Sequence, residues 1–213
     1  MLTVHHLGIS QSDRIFWLCE ELGLPYDLVR YERDPATRLA PADYRALTPF
    51  GTAPVITDGD LTLGESAAII DYIVAHYTDG RLTVGRDAPN FTDYLYWFHF
   101  ANGSFMPAAI TALIVRMVAP ETDPARAAAF NARGDRAFAQ VEQRLGEFDY
   151  FAGDEFTAAD IMMLFPLTTG RMFVPRDLEP FPNIRAYLQR IGARPAFQRA
   201  MAKADPDLPP MLT

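Results

Sequence analysis

Apolar positions along this chain follow two periods, and the balance between them changes near residue 80. Leu2 to Leu7 reads as a short buried strand. Ser12 to Leu22 reads as a helix, because Ile15, Phe16, Leu18, Cys19 and Leu22 recur at helical spacing. Gly23 stands where a C′ glycine belongs, with Pro25 just beyond. Tyr26 to Tyr31 is a second strand. Asp34 to Pro49 is polar, holds three prolines, and reads as loop with one short helix around Ala42–Leu47. Pro54 to Thr57, the turn Asp58-Gly59-Asp60 and Leu61 to Leu63 form a hairpin. Ser66 to Tyr77 is a helix with Ile69, Ile70, Ile73, Val74 and Tyr77 on one side. The order is β-α-β-α-β-β-α.

Asp79 to Pro89 is polar, carries Gly80 and Gly85, and suits a linker. Everything after it reads helical. Phe91 to Val118 is one long helix or two, with Gly103 and Pro107 as kink points. Pro124 to Phe148, Thr157 to about Arg171, Pro182 to Gly192 and Pro195 to Lys203 follow, and the tail DPDLPPMLT reads as irregular. The pattern divides the chain into a small α/β domain, 1–79, and an all-helical domain, 88–213.

Composition narrows the function. The 213 residues carry a net charge of −8 with no Lys/Arg cluster, which disfavours nucleic acid and anionic membrane surfaces as partners. No apolar run in the sequence pattern reaches membrane-spanning length, and MLTVHHLGIS is no signal peptide, so a cytoplasmic globular protein is expected. The single cysteine, Cys19, allows no internal disulfide, and its place on the apolar face of the first helix reads as core. His5, His6, His76 and His99 show no metal-ligand spacing and read as structural or exposed; no metal is expected.

Three stretches carry candidate chemistry. Proline before the strand in GTAPVITDG admits either an ordinary trans bond or a cis bond exposing the backbone of Ala53 to an extended peptide. In LGESAAIIDYI, Ser66 can cap the following helix. A helix N-terminus attracts anions, so Ser66 and Glu65 together could hold a free α-amino acid group, or be a plain cap beside a solvated glutamate. In LGISQSDRIFWLCEELG, Ser10 and Ser12 precede a helix and read either as caps or as partners of a bound anion. Further on, Thr157 and Asp160 in GDEFTAADIMML form a capping box, with Phe156 and Ile161 as its hydrophobic staple.

The serine-bearing helix start, then TAPVI, then GESAAI, then a helical region containing the GDEFTAAD box, resembles the glutathione transferase family. RIFWLCEELGLPYDL and TRLAPADYRALTPFG look most like bacterial members, and the likeness runs on through PNIRAYLQRIGARPAFQRAM. The resemblance implies an α+β thioredoxin-like N-terminal domain followed by an all-α C-terminal domain. It implies that Ala53 and cis-Pro54 pair with the cysteinyl backbone of glutathione, that Thr52 is among the glutathione-binding positions, and that Glu65 and Ser66 bind its γ-glutamyl end. Ser10 would hydrogen-bond the thiol. Tyr96, Phe100 and Gly103 would line the pocket of an apolar electrophile, though ordinary core packing explains them equally. Glutathione is the implied co-substrate and a homodimer the implied assembly.

Two departures stand out. Thr52 occupies a place where many members have Lys or Gln, which leaves that contact missing or supplied elsewhere, Arg38 being a candidate. The register of the thiol partner is also open, with Ile9, Ser10, Ser12 or a backbone amide at the position. Conjugation is the expected reaction. Glutathione-dependent disulfide or peroxide reduction on the same fold, or a non-catalytic binding role, are the alternatives.

Overall fold

The computed structural model describes residues 1–119, 121 and 123–213. They divide into two compact units, Met1–Thr83 with Gly192–Pro210, and Val84–Ile191 with Met211–Thr213. The first unit contains β1 (Leu2–Leu7), α1 (Asp13–Leu22), β2 (Asp27–Tyr31), α2 (Ala42–Arg45), β3 (Val55–Asp58), β4 (Leu61–Gly64) and α3 (Ser66–Tyr77). The sheet order is β2-β1-β3-β4, with β1 parallel to β2 and antiparallel to β3, and β4 antiparallel to β3. This is the thioredoxin-like arrangement that the resemblance implied. Leu2, Val4 and His6 lie on one face of β1, and all three are buried.

Ile15, Phe16, Trp17, Leu18 and Cys19 of α1 are fully buried. The helix closes on Gly23 at φ 66°, whose N–H reaches back to Glu20 while that of Leu24 reaches Cys19. Burial pushes the Cys19 thiol up to about 12, as befits a core cysteine. Gly51 holds the loop before β3 at φ 66°, where a Cβ would come within 3.2 Å of the Arg45 carbonyl oxygen.

The second unit contains α4 (Phe91–Phe100), α5 (Met106–Val118), α6 (Pro124–Glu147), α7 (Ala158–Leu167) and α8 (Pro182–Gly192). Gly103 and Pro107 do not break the first of these. A π-helical turn at Ala101–Phe105 joins α4 to α5, absorbing the donor that Pro107 lacks, so Phe91–Val118 runs as one 28-residue helix. By length and composition that helix is able to cross a membrane, which corrects the expectation that no run reaches that length. Tyr94, Trp97, Phe98, Ala101 and Phe105 lie in the core as their spacing predicts, whereas Ile110, Ile114, Met117 and Val118 are exposed. The α-helical part of α7 ends at Leu167, and Thr169–Met172 continues as a tighter 3₁₀ turn.

The final helix, α9 (Pro195–Ala204), differs from the sequence division. The pattern assigns all of 88–213 to the helical part, but α9 packs on α1 in the first unit. Glu21 takes a bidentate ion pair from Arg194 at 2.7 and 2.8 Å, and Glu20 is paired with Arg199 and Lys203. These charges lie far apart in sequence, beyond the reach of periodicity.

Candidate functional site

β1, α1, β3 and α3 bring most of the expected residues to one end of the sheet. The ladder between β1 and β3 starts at His5 opposite Val55, so one step further sets Pro54 beside His6. The Ala53–Pro54 bond is cis. Ala53 lies outside the β3 ladder and is half-buried, while Thr52 is exposed. Arg38 is exposed on the loop after β2, where its own carbonyl accepts from Arg33.

Glu65 and Ser66 correct the capping expectation. Glu65 holds the N-cap position at φ 71°, an unusual conformation for a residue with a Cβ, and Ser66 is the first helical residue, buried to 1 % exposure. Neither side chain caps α3. Instead Ser66 Oγ accepts from Nη1 of Arg14 at 3.3 Å, and the same Nη1 donates to Gln11 Oε1. Arg14 is completely buried at the start of α1. Burial pulls its guanidinium down to about 9 against the opposing pull of Asp13, so it remains a cation at neutral pH. A buried cation therefore supports the N-terminus of α3, which itself favours an anion.

The two serines also differ from simple caps. Ser12 occupies the N-cap position of α1 but its side chain makes no cap bond. Its Oγ lies 2.6 Å from Nδ1 of His6 and 2.7 Å from Ser10 Oγ, and its N–H donates to Ser10 Oγ at 3.3 Å. Nε2 of His6 lies 3.2 Å from Oδ2 of Asp205, and the His6 ring stands edge-on to Phe16 at 5.1 Å. Ser10, Ser12 and His6 are all buried. Burial pushes the Asp205 carboxyl up, but the contacts from His6, the Ile9 N–H and Arg30 outweigh it and hold the group below the usual carboxylate range. Ile9, the other register candidate, has φ 54°. Its N–H donates to Asp205 Oδ2 at 3.3 Å and its carbonyl accepts from Arg33 at 3.1 Å. The turn that presents Ser10 is thus clamped from both sides.

Sequence reasoning read His6 as structural or exposed, and it is buried; the partners of His6, Arg14, Arg33 and Asp205 were not foreseen. The signal for His6 was available: it shares a buried strand face with Leu2 and Val4, where a polar group needs partners. Nothing local marks Asp205. Ligand atoms of His6, Asp13 and Asp205 lie within 4.8 Å of one another, the spacing that an ion would need, and both imidazole nitrogens are engaged in hydrogen bonds. In the helical unit, Tyr96 stacks on Phe100 at 5.5 Å and its hydroxyl accepts from Gln140, while Gly103 is exposed in the π turn.

Comparison with known proteins decides the family. The description "Glutathione S-transferase, N-terminal domain" matches residues 10–76, and "Glutathione S-transferase, C-terminal domain" matches residues 105–195. Glutathione S-transferase 3 of Schizosaccharomyces pombe is 30% identical over 220 residues, covering 96% of this chain and 88% of that protein. The chain belongs to the glutathione S-transferase family. Among solved structures, a glutathione S-transferase from Actinobacillus pleuropneumoniae superposes with a TM-score of 0.87 at 35% identity, covering 96% of this chain and 93% of that one. The transferase URE2P6 from Phanerochaete chrysosporium, solved in complex with oxidized glutathione, shares the fold at 22% identity, with a TM-score of 0.77 and coverage of 95% and 96%. Within this family frame, the capping box of Thr157 and Asp160 is formed in full: Thr157 Oγ1 accepts from the backbone of α7, and Asp160 Oδ2 accepts from the Thr157 N–H at 2.8 Å.

Proposed function

We propose that this protein is a cytoplasmic glutathione transferase that activates the glutathione thiol at Ser10 and adds the thiolate to hydrophobic electrophiles. The observation that carries the reading is the 3.3 Å contact from Arg14 to Ser66, which joins the anion-favouring start of α3 to the serine-bearing start of α1. A tripeptide with a free α-amino acid group at one end and a thiol in its middle suits that surface. Its γ-glutamyl carboxylate would meet Ser66 and the N-terminus of α3, its ammonium Glu65, and its cysteinyl backbone Ala53 and Pro54. Thr52 offers only a short exposed side chain there, so Arg38 remains the candidate for the missing cationic contact.

The chemistry needs a thiolate. A thiol with a reference pKa near 8.5 is mostly protonated at neutral pH, and lowering that value by ~2 units takes about 2.7 kcal/mol of differential stabilisation. A hydroxyl at Ser10 and the start of α1 are suited to supply it. The exposed apolar side chains of the 28-residue helix support two further parts of the reading. Tyr96, Phe100 and Gly103 offer apolar surface to the electrophile, and the remaining exposed apolar residues offer a face to a second copy in a homodimer. Calorimetry with reduced glutathione tests the binding reading, and absence of heat refutes it. Turnover of a chromogenic electrophile tests the reaction, whereas turnover of a disulfide alone assigns the protein to glutathione-dependent reduction. Light scattering in solution tests the dimer.

A further inference from the structure

We propose that the chain Ser10–Ser12–His6–Asp205 is a proton relay that removes the thiol proton of bound glutathione and stores it on the His6 imidazole. The proposal rests on Ser10 being the thiol partner. Its geometry is independent of that reading. Three successive contacts of 2.7, 2.6 and 3.2 Å link four buried or half-buried side chains drawn from the β1–α1 turn, β1 and the segment after α9. The Ser12 side chain makes no cap bond to α1 and is engaged in this chain instead.

The directions of the hydrogen bonds follow from the ends. Asp205 is an ionised carboxylate and only accepts, so Nε2 of His6 carries a hydrogen. In neutral imidazole Nδ1 is then a lone pair, and Ser12 must donate to it. Ser12 Oγ–H is spent on His6, so Ser10 Oγ–H donates to Ser12; of the two Ser10 lone pairs one accepts from the Ser12 N–H and the other is left for an incoming donor. In that state Ser10 offers the thiol an acceptor and has no hydrogen left to give it. A thiol S–H meeting Ser10 gives up its proton to Oγ. Ser10 passes its own to Ser12, and Ser12 passes its own to Nδ1. One S–H bond is lost and one N–H bond is gained, and no electrons are transferred. Every hydrogen bond has now reversed. His6 is an imidazolium paired with Asp205, Nδ1–H donates to Ser12, Ser12 donates to Ser10, and Ser10 donates to the thiolate it has just made. The same serine thus serves as proton acceptor first and thiolate donor afterwards.

The surroundings fit this charge change. Asp205 and Asp13 face His6 from the segment after α9 and from α1. Arg30 lies opposite His6 on β2 and approaches the other Asp205 oxygen at 3.9 Å. Two carboxylates lie close to the ring before the proton arrives, one of them near Arg30 and the other interacting with Arg14. His6 and Asp205 act through Ser10 and do not touch glutathione.

The test compares full-length wild type with Ser12→Ala, Ser12→Thr, His6→Gln and Asp205→Asn. Ser12→Ala leaves His6 and Asp205 in place and only interrupts the chain, so it remains informative if the other variants fold poorly. Expected results are a bound thiol that titrates at least one unit higher in Ser12→Ala and His6→Gln, with turnover at pH 7 reduced ~10-fold or more and recovering as pH rises. Glutathione affinity should change less than ~3-fold, and Ser12→Thr should restore the low titration. In wild type labelled with ¹⁵N-histidine, adding glutathione at pH 7 should move one Nδ1 resonance from the unprotonated to the protonated range, and Ser12→Ala should abolish that movement. Wild type that binds and conjugates glutathione while Ser12→Ala keeps the same thiol titration overturns the relay alone. Wild type that fails to bind glutathione overturns both the relay and the function on which it rests.

Discussion

Single residues in this protein hold conformations and partners that their local sequence does not suggest. Glu65 sits at φ 71°, a conformation that costs a residue with a Cβ roughly 1–2 kcal/mol, directly before a helix start backed by a buried arginine. A glycine would relieve that conformation. Glu65→Gly is therefore expected to keep or raise thermal stability while weakening glutathione binding, and Glu65→Gln to weaken binding with no gain in stability. Ser66→Ala should likewise weaken binding, each loss amounting to ~1–3 kcal/mol for a charge-assisted contact. Calorimetry alongside thermal melts checks this, and unchanged affinity in all three variants removes Glu65 and Ser66 from the site. Ala53, Pro54, Glu65 and Ser66 could be singled out as candidates because each lies in a short local pattern. His6, Arg14 and Asp205 were not singled out. Their contacts join distant segments, His6 and Asp205 being separated by 199 positions.

Elements were largely legible because their signals are local. The strand Leu2–Leu7 and the helix Ser66–Tyr77 have the limits their periodicity gives. Phe91–Val118 kept its helicity through Gly103 and Pro107 because a π turn takes up the mismatch, and no periodicity encodes that device. The capping box of α7 shows how one buried group can decide an element. Asp160 accepts from the backbone of Thr157 and Phe151 and from the Tyr187 hydroxyl, yet burial still raises its carboxyl to about 6. With the folded value above the unfolded one, the unfolded chain loses its proton first. Stability from this group is full below about pH 4 and falls as pH rises to about 6, by roughly 3 kcal/mol in total. Asp160→Asn is expected to remove that slope from the pH profile of chemical unfolding while costing ~1 kcal/mol or more at neutral pH through lost acceptor capacity. A variant whose stability falls between pH 4 and 6 as steeply as wild type assigns the slope to other groups.

At the scale of the molecule, the feature least legible in sequence is the return of α9 to the first unit. Amphipathic spacing announces the helix but not the surface that covers it. That surface is chosen by Trp17, which meets Phe197 edge-on at 5.3 Å, and by charges on α1. Glu21 is 9 % exposed and accepts from Trp17 Nε1 as well as from both forks of Arg194. Removing only the arginine leaves a nearly buried carboxylate short of its cation, which is more damaging than removing both charges. Arg194→Met should thus destabilise the protein by ~1–3 kcal/mol, Glu21→Gln by less because Oε1 still serves Trp17, and the double variant by less than the sum of the two. The coupling should persist at high salt, since a pair sheltered this far is screened less than the exposed one between Arg86 and Asp87. Denaturant titrations of the four species at low and high ionic strength give the coupling directly. Additive effects at both would mean that Trp17, Phe197 and their apolar neighbours hold α9 in place, with the ion pair contributing nothing to its choice of partner.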